Sequence, residues 1–498
     1  MSTSGGARSP QWKWYICGIL LLATMLNYMD RQTLANTITD ISKELGLNNE
    51  QYGQLEFGFG MAFAAGGILV GFLVDRLSVR WMYPLVLIGW SSAGIATAYA
   101  AEIGEWLQSA GFGGGAPSGY VGLMACRITL GLFEAGQWPC ALVTSQRLLS
   151  AEDRPLGNSL LQSGAALGAI ITPLIVQQLV SDQPGSWRLP FQAIGLLGML
   201  WIIPWLSMVR KGDLQPHGEM ASPRQLQPEA AADKTDFAPA VAPENPYQAP
   251  TASAELSAAS ASFATKPSPS VASAQPAPGT NWPLFIQRFL VLALTVVVIN
   301  LCFHFFRAWL PKFLREFHGY ERSTVNYFTS AYFIATDVGC LSIGVLVKRM
   351  TLDGWPVHRA RMATFGLCAA LTAMSTVASR LPAGLPLLGV LLVIGFGALG
   401  LFPNYYSLTQ DLSPRHQGKV TGALGCITWV CTAWMQKLVG QSVDATGSYA
   451  SGIFVIGLLP LIAFAALALF WNWPCSKPEV GNRKASAIRP LLKGEKPT

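Results

Sequence analysis

The chain has 498 residues, of which 51% are apolar and only 12% charged, with a formal net charge of +7. A soluble domain carries about 25% charge, so this composition excludes an ordinary globular enzyme. The apolar runs are long enough to span a bilayer and recur about twelve times, which makes this a polytopic membrane protein.

A spanning backbone must satisfy its own hydrogen bonds, and the short alternating segments of a β-barrel do not occur, so the fold class is all-α. Helices are predicted over residues 14–38, 50–75, 80–101, 119–149, 155–180 and 188–209, then over 284–315, 323–348, 358–380, 385–412, 417–441 and 451–473. The stretch from 101 to 120 holds Glu102 and Glu105 without Lys or Arg and is expected as a loop. Basic residues fall in alternate loops: Arg76 and Arg80, Arg147 and Arg154, Arg210 and Lys211, Lys348 and Arg349, Arg415 and Lys419. This pattern predicts two cytoplasmic termini and a cell (inner) membrane location, and it accounts for the positive charge without nucleic acid. The first run is too long for a signal-peptide core and lacks a small-residue cleavage site, so it reads as a retained helix.

Residues 212–281 are rich in Pro, Ala and Ser and poor in large apolar side chains, the composition of a disordered cytoplasmic linker. The expected organisation is an N-terminal six-helix bundle over 1–211, this linker, a C-terminal six-helix bundle over 282–475 and a cytoplasmic tail over 476–498. The halves look duplicated. Gly71-Phe-Leu-Val-Asp75-Arg76 matches Gly344-Val-Leu-Val-Lys348-Arg349, Gly131-Leu-Phe133 matches Gly400-Leu-Phe402, and Arg31 matches Arg307, all at a similar offset. Two pseudo-symmetric bundles leave a midplane cavity between them, and alternating access needs only one bundle rocking against the other. The nine cysteines lie mostly in or beside apolar spans with no C-x-x-C pair, so neither a disulfide framework nor a metal site is expected.

Asp30 and Arg31 are adjacent within the first apolar run. A charge at the bilayer centre costs roughly 2.5–3.5 kcal/mol on insertion scales, and neighbours on a helix point about 100° apart, so at least one must face a protein interior or watery cavity. On the fourth predicted helix, Arg127, Gly131, Glu134 and Trp138 fall on one stripe. Arg127 and Glu134 are about 10 Å apart along it, too far to pair directly, so each needs its own partner. Glu134, a carboxylate withdrawn from water, is a proton-site candidate. Arg31 is the candidate for a substrate carboxylate, because a guanidinium fork binds carboxylate bidentately and stays charged at any working pH. An ion pair of Arg31 with Asp30 or Glu134 is compatible with that role.

His304 and Arg307 lie one turn apart on the seventh predicted helix. Arg307 is either a second cation in the cavity wall or a residue snorkelling to the outer surface. His304 reads as a hydrogen-bonded helix histidine. Glu56 is an extra acid that can pair with Arg307 or Arg31, and Asp337 is expected as a structural ion-pair or helix-cap partner. Gln162, Asn404, Tyr405, Thr428 and Trp429 could read hydroxyls, with Asn404 after Pro403 the foremost, and Tyr28 and Trp138 offer flat faces for a sugar ring. Gly164, Gly168 and Pro173 mark close helix packing and a bend on the fifth predicted helix, without the dense Gly-Pro signature of drug exporters.

Gly71-x-x-x-Asp75-Arg76-x-x-x-Arg80 resembles the cytoplasmic gating loop of the major facilitator superfamily, with Ser78 where that family usually has Gly. Asn27-Tyr28-Met29-Asp30-Arg31 together with Arg127-x-x-x-Gly131-x-x-Glu134-Ala135 resembles the anion:cation symporter branch, and among its members the bacterial hexuronate transporters, over all but the linker and tails. The resemblance implies that Arg31 binds the substrate carboxylate and that Glu134 and Asp30 are the proton-coupling acids. There is no P-loop and no nucleophile–base constellation, so neither ATP nor an enzymatic reaction is expected. The expectation is a proton-coupled symporter that imports an organic anion, foremost a sugar acid such as a hexuronate. It works as a monomer without cofactor, binding substrate through Arg31, Arg127, Arg307, Tyr28, Asn404 and Gln162. The alternatives are a proton-driven efflux antiporter of small amphipathic molecules and a non-transporting membrane sensor.

Overall fold

The computed structural model describes residues 11–74, 77–149, 154–210, 212–214, 282–412 and 417–471. Among these the chain is helical, with no strand. The first group comprises α1 (Trp12–Leu45), α2 (Asn49–Val74), α3 (Val79–Thr97), α4 (Ala100–Ser109), α5 (Ser118–Glu134), α6 (Gln137–Leu148), α7 (Arg154–Leu179) and α8 (Arg188–Met208). The second comprises α9 (Trp282–Lys312), α10 (Arg322–Leu352), α11 (Val357–Thr372), α12 (Ser375–Ala378), α13 (Leu385–Gly400), α14 (Phe402–Leu412), α15 (Gln417–Thr446) and α16 (Ala450–Phe470), with a π-helical turn, Phe313–Phe317, closing α9. Asp75 and Arg76, almost all of the expected linker, and the tail lie outside the described residues.

Eight helical segments are long and apolar enough to cross a membrane, and a ninth if α3 and α4 form one span bent by 94°. The remaining spans expected from the sequence, α1, α5 with α6, and α15, each bury polar side chains. Helix α1 buries Asn27, Asp30, Arg31, Gln32, Asn36 and four threonines beyond residue 23. Thr33 and Thr37 donate to the carbonyls of Met29 and Thr33, each at 2.7 Å, so these hydroxyls are satisfied within the helix. The structure corrects the expected loop at 101–120: residues 100–109 form α4, whose Gly104 packs against the backbone of Ser118 on α5. The fourth predicted helix also breaks, at Ala135 and Gly136. Gln137 pins the break, accepting from Tyr83 (2.9 Å) and donating to Thr24 (2.9 Å), so Trp138 belongs to a separate helix from Arg127 and Glu134.

Small residues set the helix spacing. A Cβ on Gly164 or Gly168 of α7 would collide with the carbonyls of Leu21 and Met25 on α1. Between the two groups, Gly53 and Gly60 of α2 lie against Gln436 and Ala433 of α15, and Gly440 lies against Asn49.

Polar contacts between the groups cluster toward the end that carries the α1–α2 turn. Asp40, beyond the apolar part of α1, is gripped bidentately by Arg315 at 2.6 and 2.7 Å and touched by Arg322 at 3.1 Å. Asp444 of α15 accepts from the backbone N–H groups of Asn49 and Glu50, capping α2 with a negative charge. Tyr52 donates to the Ala308 carbonyl at 2.8 Å, and Asn326 to Gln177 at 2.9 Å.

Burial acts to raise the Asp40 carboxyl, but the hydrogen bonds and charges of Arg315 and Arg322 outweigh it and hold Asp40 below the ordinary carboxylate range. The clasp is therefore complete above the ordinary carboxylate pKa and weakens as pH falls through the depressed value. Its hydrogen bonds to charged groups are worth about 1.5–3 kcal/mol each. The variant Asp40→Asn is expected to open this end at neutral pH, raising the labelling rate of a cysteine placed at Gln177. Acidification should open the wild type further while barely changing the variant.

Candidate functional site

Six ionisable side chains meet at the middle of the helices, where the two groups face each other: Asp30 and Arg31 on α1, Glu56 on α2, Arg127 and Glu134 on α5, and Arg307 on α9. None is more than 3% exposed. Arg31 Nε donates to Glu134 Oε2 at 2.5 Å. Arg127 Nη2 donates to Glu56 Oε1 at 2.8 Å, and Arg307 Nη2 to Glu56 Oε2 at 2.6 Å. Glu56 thus binds one arginine from its own group and one from the other. Three guanidinium groups stand against three carboxylates, so the cluster is neutral when all are ionised.

The adjacent charges of α1 diverge as helix geometry requires. Asp30 turns toward α3, where a Cβ on Gly94 would come within 3.1 Å of its Oδ1. Arg31 turns toward the second group. Its guanidinium carbon lies 5.3 Å from the Tyr28 ring, 5.4 Å from Phe59, 4.7 Å from Phe63 and 5.3 Å from Trp429, the last contributed by α15. Arg127 lies 4.3 Å from the same Phe59 ring. These aromatic faces replace water around the cations. Each guanidinium nevertheless keeps an unpaired buried nitrogen, namely Arg31 Nη2, Arg127 Nε and Arg307 Nη1, and Glu134 Oε1 and Asp30 Oδ1 are unpaired acceptors. A buried donor without a partner is costly, so three of them on cations make the region receptive to an anion with several oxygen acceptors.

Arg307 does not snorkel: it is buried, and its Nε donates to His304 Nδ1 at 3.2 Å. That bond makes His304 Nδ1 an acceptor, consistent with a neutral ring. The His304 carbonyl accepts from Gln436, which in turn accepts from Trp309.

The other sequence candidates lie apart from this cluster. Asn404 is buried at the α13–α14 break and donates to Thr364 on α11, a contact within the second group. Gln162 is exposed on α7, and Gly71 is exposed on α2. Arg80 donates to the Val209 carbonyl at 2.7 Å and lies over the Trp81 ring, tying α3 to the end of α8. Asp337 has neither of its expected roles: it sits mid-helix in α10, half-buried, with no ion pair or hydrogen bond among the described residues. Sequence reasoning missed Phe59 and Phe63, whose signal was an aromatic pair four residues apart beside Glu56. It also missed the clasp of Arg315 and Arg322 on Asp40.

A helical bundle with buried, paired charges at its midplane defines a membrane transporter. The chain matches the model for the Major Facilitator Superfamily over residues 20–435 and belongs to that family. It is 22% identical over 481 residues to the hexuronate transporter of Escherichia coli (strain K12), covering 92% of this chain and 91% of that one. It is also 22% identical over 482 residues to the probable sulfoacetate transporter of Cupriavidus necator, covering 96% and 97%. A third relative, the probable galactarate/D-glucarate transporter of Bacillus subtilis, is 22% identical over 472 residues, covering 92% and 91%. Among solved structures, a D-xylose-proton symporter superposes with a TM-score of 0.65 at 14% identity, covering 92% of this chain and 97% of that one. A bacterial homolog of the human lysosomal transporter Spinster, in an inward-facing and unoccupied conformation, gives 0.61 at 14% identity, covering 93% and 95%.

Glu56 is the one acid shared by two cluster arginines. Replacing it by glutamine leaves two buried cations uncompensated, a loss of about 3–5 kcal/mol for a broken buried pair. Glu56→Gln is expected to lower the unfolding midpoint in detergent well below that of wild type. Adding Arg307→Gln should recover part of the loss, giving a non-additive double-mutant cycle.

Proposed function

We propose that the protein is a proton-coupled symporter that imports an organic anion, most specifically a sugar acid such as a hexuronate. The observation that carries this reading is the Arg31–Glu134 pair, a buried guanidinium held by an internal carboxylate while one of its nitrogens remains unpaired. A substrate carboxylate has the same chemistry as the Glu134 side chain and competes for the same fork. The named activities of the relatives support the solute class, since hexuronate, galacturonate, galactarate and galactonate all pair a carboxylate with hydroxyl groups.

Charge balance supplies the coupling. The cluster is neutral with three cations and three acids, so one added anion leaves it with an unmatched negative charge in a low-dielectric setting. A buried carboxylate without its cation costs several kcal/mol, and a proton removes that cost. Glu134, displaced from Arg31 by substrate, takes that proton, and Asp30 beside it provides a second station. The loaded cluster is again neutral and the bundles can close over it. Tyr28 stacks beside the docked carboxylate, while Arg127 and Arg307 extend the positive wall. With both termini in the cytoplasm, the clasped end is the outward one. Lower external pH then favours uptake, while a neutral loaded cluster leaves the membrane potential without effect. In this scheme Gly71, Asp75, Arg76 and Arg80 form the cytoplasmic gate.

Proteoliposome flux tests the proposal. Acid outside should drive accumulation of D-glucuronate or D-galacturonate; an efflux antiporter would instead extrude its solute under that gradient. Arg31→Lys is expected to keep the fold but weaken anion binding about a hundredfold, roughly 2.7 kcal/mol, because the planar fork is lost. Wild-type affinity in that variant would remove Arg31 from the binding site. Glu134→Gln should retain solute exchange and lose pH-driven accumulation, and unchanged accumulation would take Glu134 out of the proton path.

A further inference from the structure

We propose that Asp337 reads the hydroxyl groups of the solute, working from the second bundle while Arg31 holds the carboxylate from the first; this rests on the sugar-acid reading above. Asp337 lies in the middle of the apolar span Arg322–Leu352 and has no cation, hydrogen bond or cap among the described residues. A carboxylate kept at that depth without a partner is expensive. It is half-buried rather than fully enclosed.

Helix geometry fixes what it faces. Asn326, Ser330, Phe333 and Asp337 follow i, i+4, i+7, i+11 spacing and share one stripe of α10. The first two members of that stripe touch α7: Asn326 donates to Gln177, and Ser330 donates to the Ile170 carbonyl at 2.9 Å. The helices run antiparallel, so moving from Ser330 to Asp337 on α10 corresponds to moving from Ile170 back toward residues 162–166 on α7. There Gln162 is exposed. The stripe that seals the bundles at one end thus continues toward the stretch of α7 that carries Gln162, with Asp337 on the face of α10 turned to it. Gly168, between Ile170 and Gln162 on α7, packs against Tyr28, whose ring lies 5.3 Å from the Arg31 guanidinium. Asp337 therefore stands a few side chains from the Arg31 fork, on the opposite bundle.

An ionised carboxylate only accepts hydrogen bonds, and hydroxyl donors of a polyol or pyranose are the neutral groups that match it. A second substrate carboxylate would be repelled. The position thus selects hydroxylated monoanions over unadorned ones, and a site built to bond hydroxyls rejects analogues that lack them.

Isothermal calorimetry on the purified full chain tests this with D-galacturonate and tetrahydropyran-2-carboxylate, which keeps the ring and carboxylate without the hydroxyls. Wild type should prefer D-galacturonate by at least about tenfold. Asp337→Asn and Asp337→Ala should shrink that preference about tenfold, by weakening D-galacturonate alone. An unchanged preference, or equal weakening of both anions, overturns the role of Asp337 and marks it as structural. If wild type binds neither anion, the sugar-acid reading itself falls and this inference falls with it. Matching elution of the variants on size exclusion and matching unfolding midpoints exclude misfolding as the cause.

Discussion

The structure depends on keeping three guanidinium groups out of water. Each has a carboxylate within hydrogen-bond distance or in the same cluster, and two lie over aromatic rings instead of solvent. Desolvated ion pairs are weak contributors to stability compared with apolar packing, so their presence at the midplane is explained by function rather than by folding. Because Glu56 and Trp429 reach across from opposite groups, the cluster is also where the two halves are joined. Any change of charge there alters how firmly they hold.

That joining explains the division of labour along the helices. At the clasped end the contacts include small residues that let α2 and α15 touch backbone to backbone, and short polar bonds such as those on Asp40 and Asp444. Between them runs an apolar core shared by the two groups, in which Leu34, Ile38 and Tyr52 of the first join Phe306, Trp309 and Phe313 of the second, so parting this end also exposes apolar surface. Two further apolar cores lie within the groups, with Trp90, Trp201 and Trp205 packing in the first and Phe365, Leu424 and Leu467 in the second. Such an arrangement suits rigid bodies that move against each other.

Much of this was legible in the sequence, because a charged residue in an apolar run is conspicuous and its burial is nearly obligatory. Asp30, Arg31, Arg127, Glu134 and Arg307 could be picked out before any coordinates. Their pairing could not, since three arginines and three acids allow several matchings and the choice is made by tertiary geometry. Glu56 serving two arginines is such a case. The bend to α4 was hidden because Glu102 and Glu105 make a short amphipathic helix look like a loop. The break after Glu134 was hidden because Ala135-Gly136 carries no proline, and Gln137 holds the break through contacts to α1 and α3. Asp337 was misassigned because the sequence shows an acid in a helix but not which neighbour is missing.

The spans that are too polar to count as membrane-crossing on their own bear on how the chain reaches the bilayer. Helix α1, with its buried Asp30 and Arg31, leaves the ribosome before Glu134 and well before Trp429 have been made. It cannot partition into lipid by itself at low cost. Insertion therefore has to hold early helices at the translocation channel until later ones arrive, so that α1, α5 and α15 enter the hydrocarbon as partners rather than one at a time.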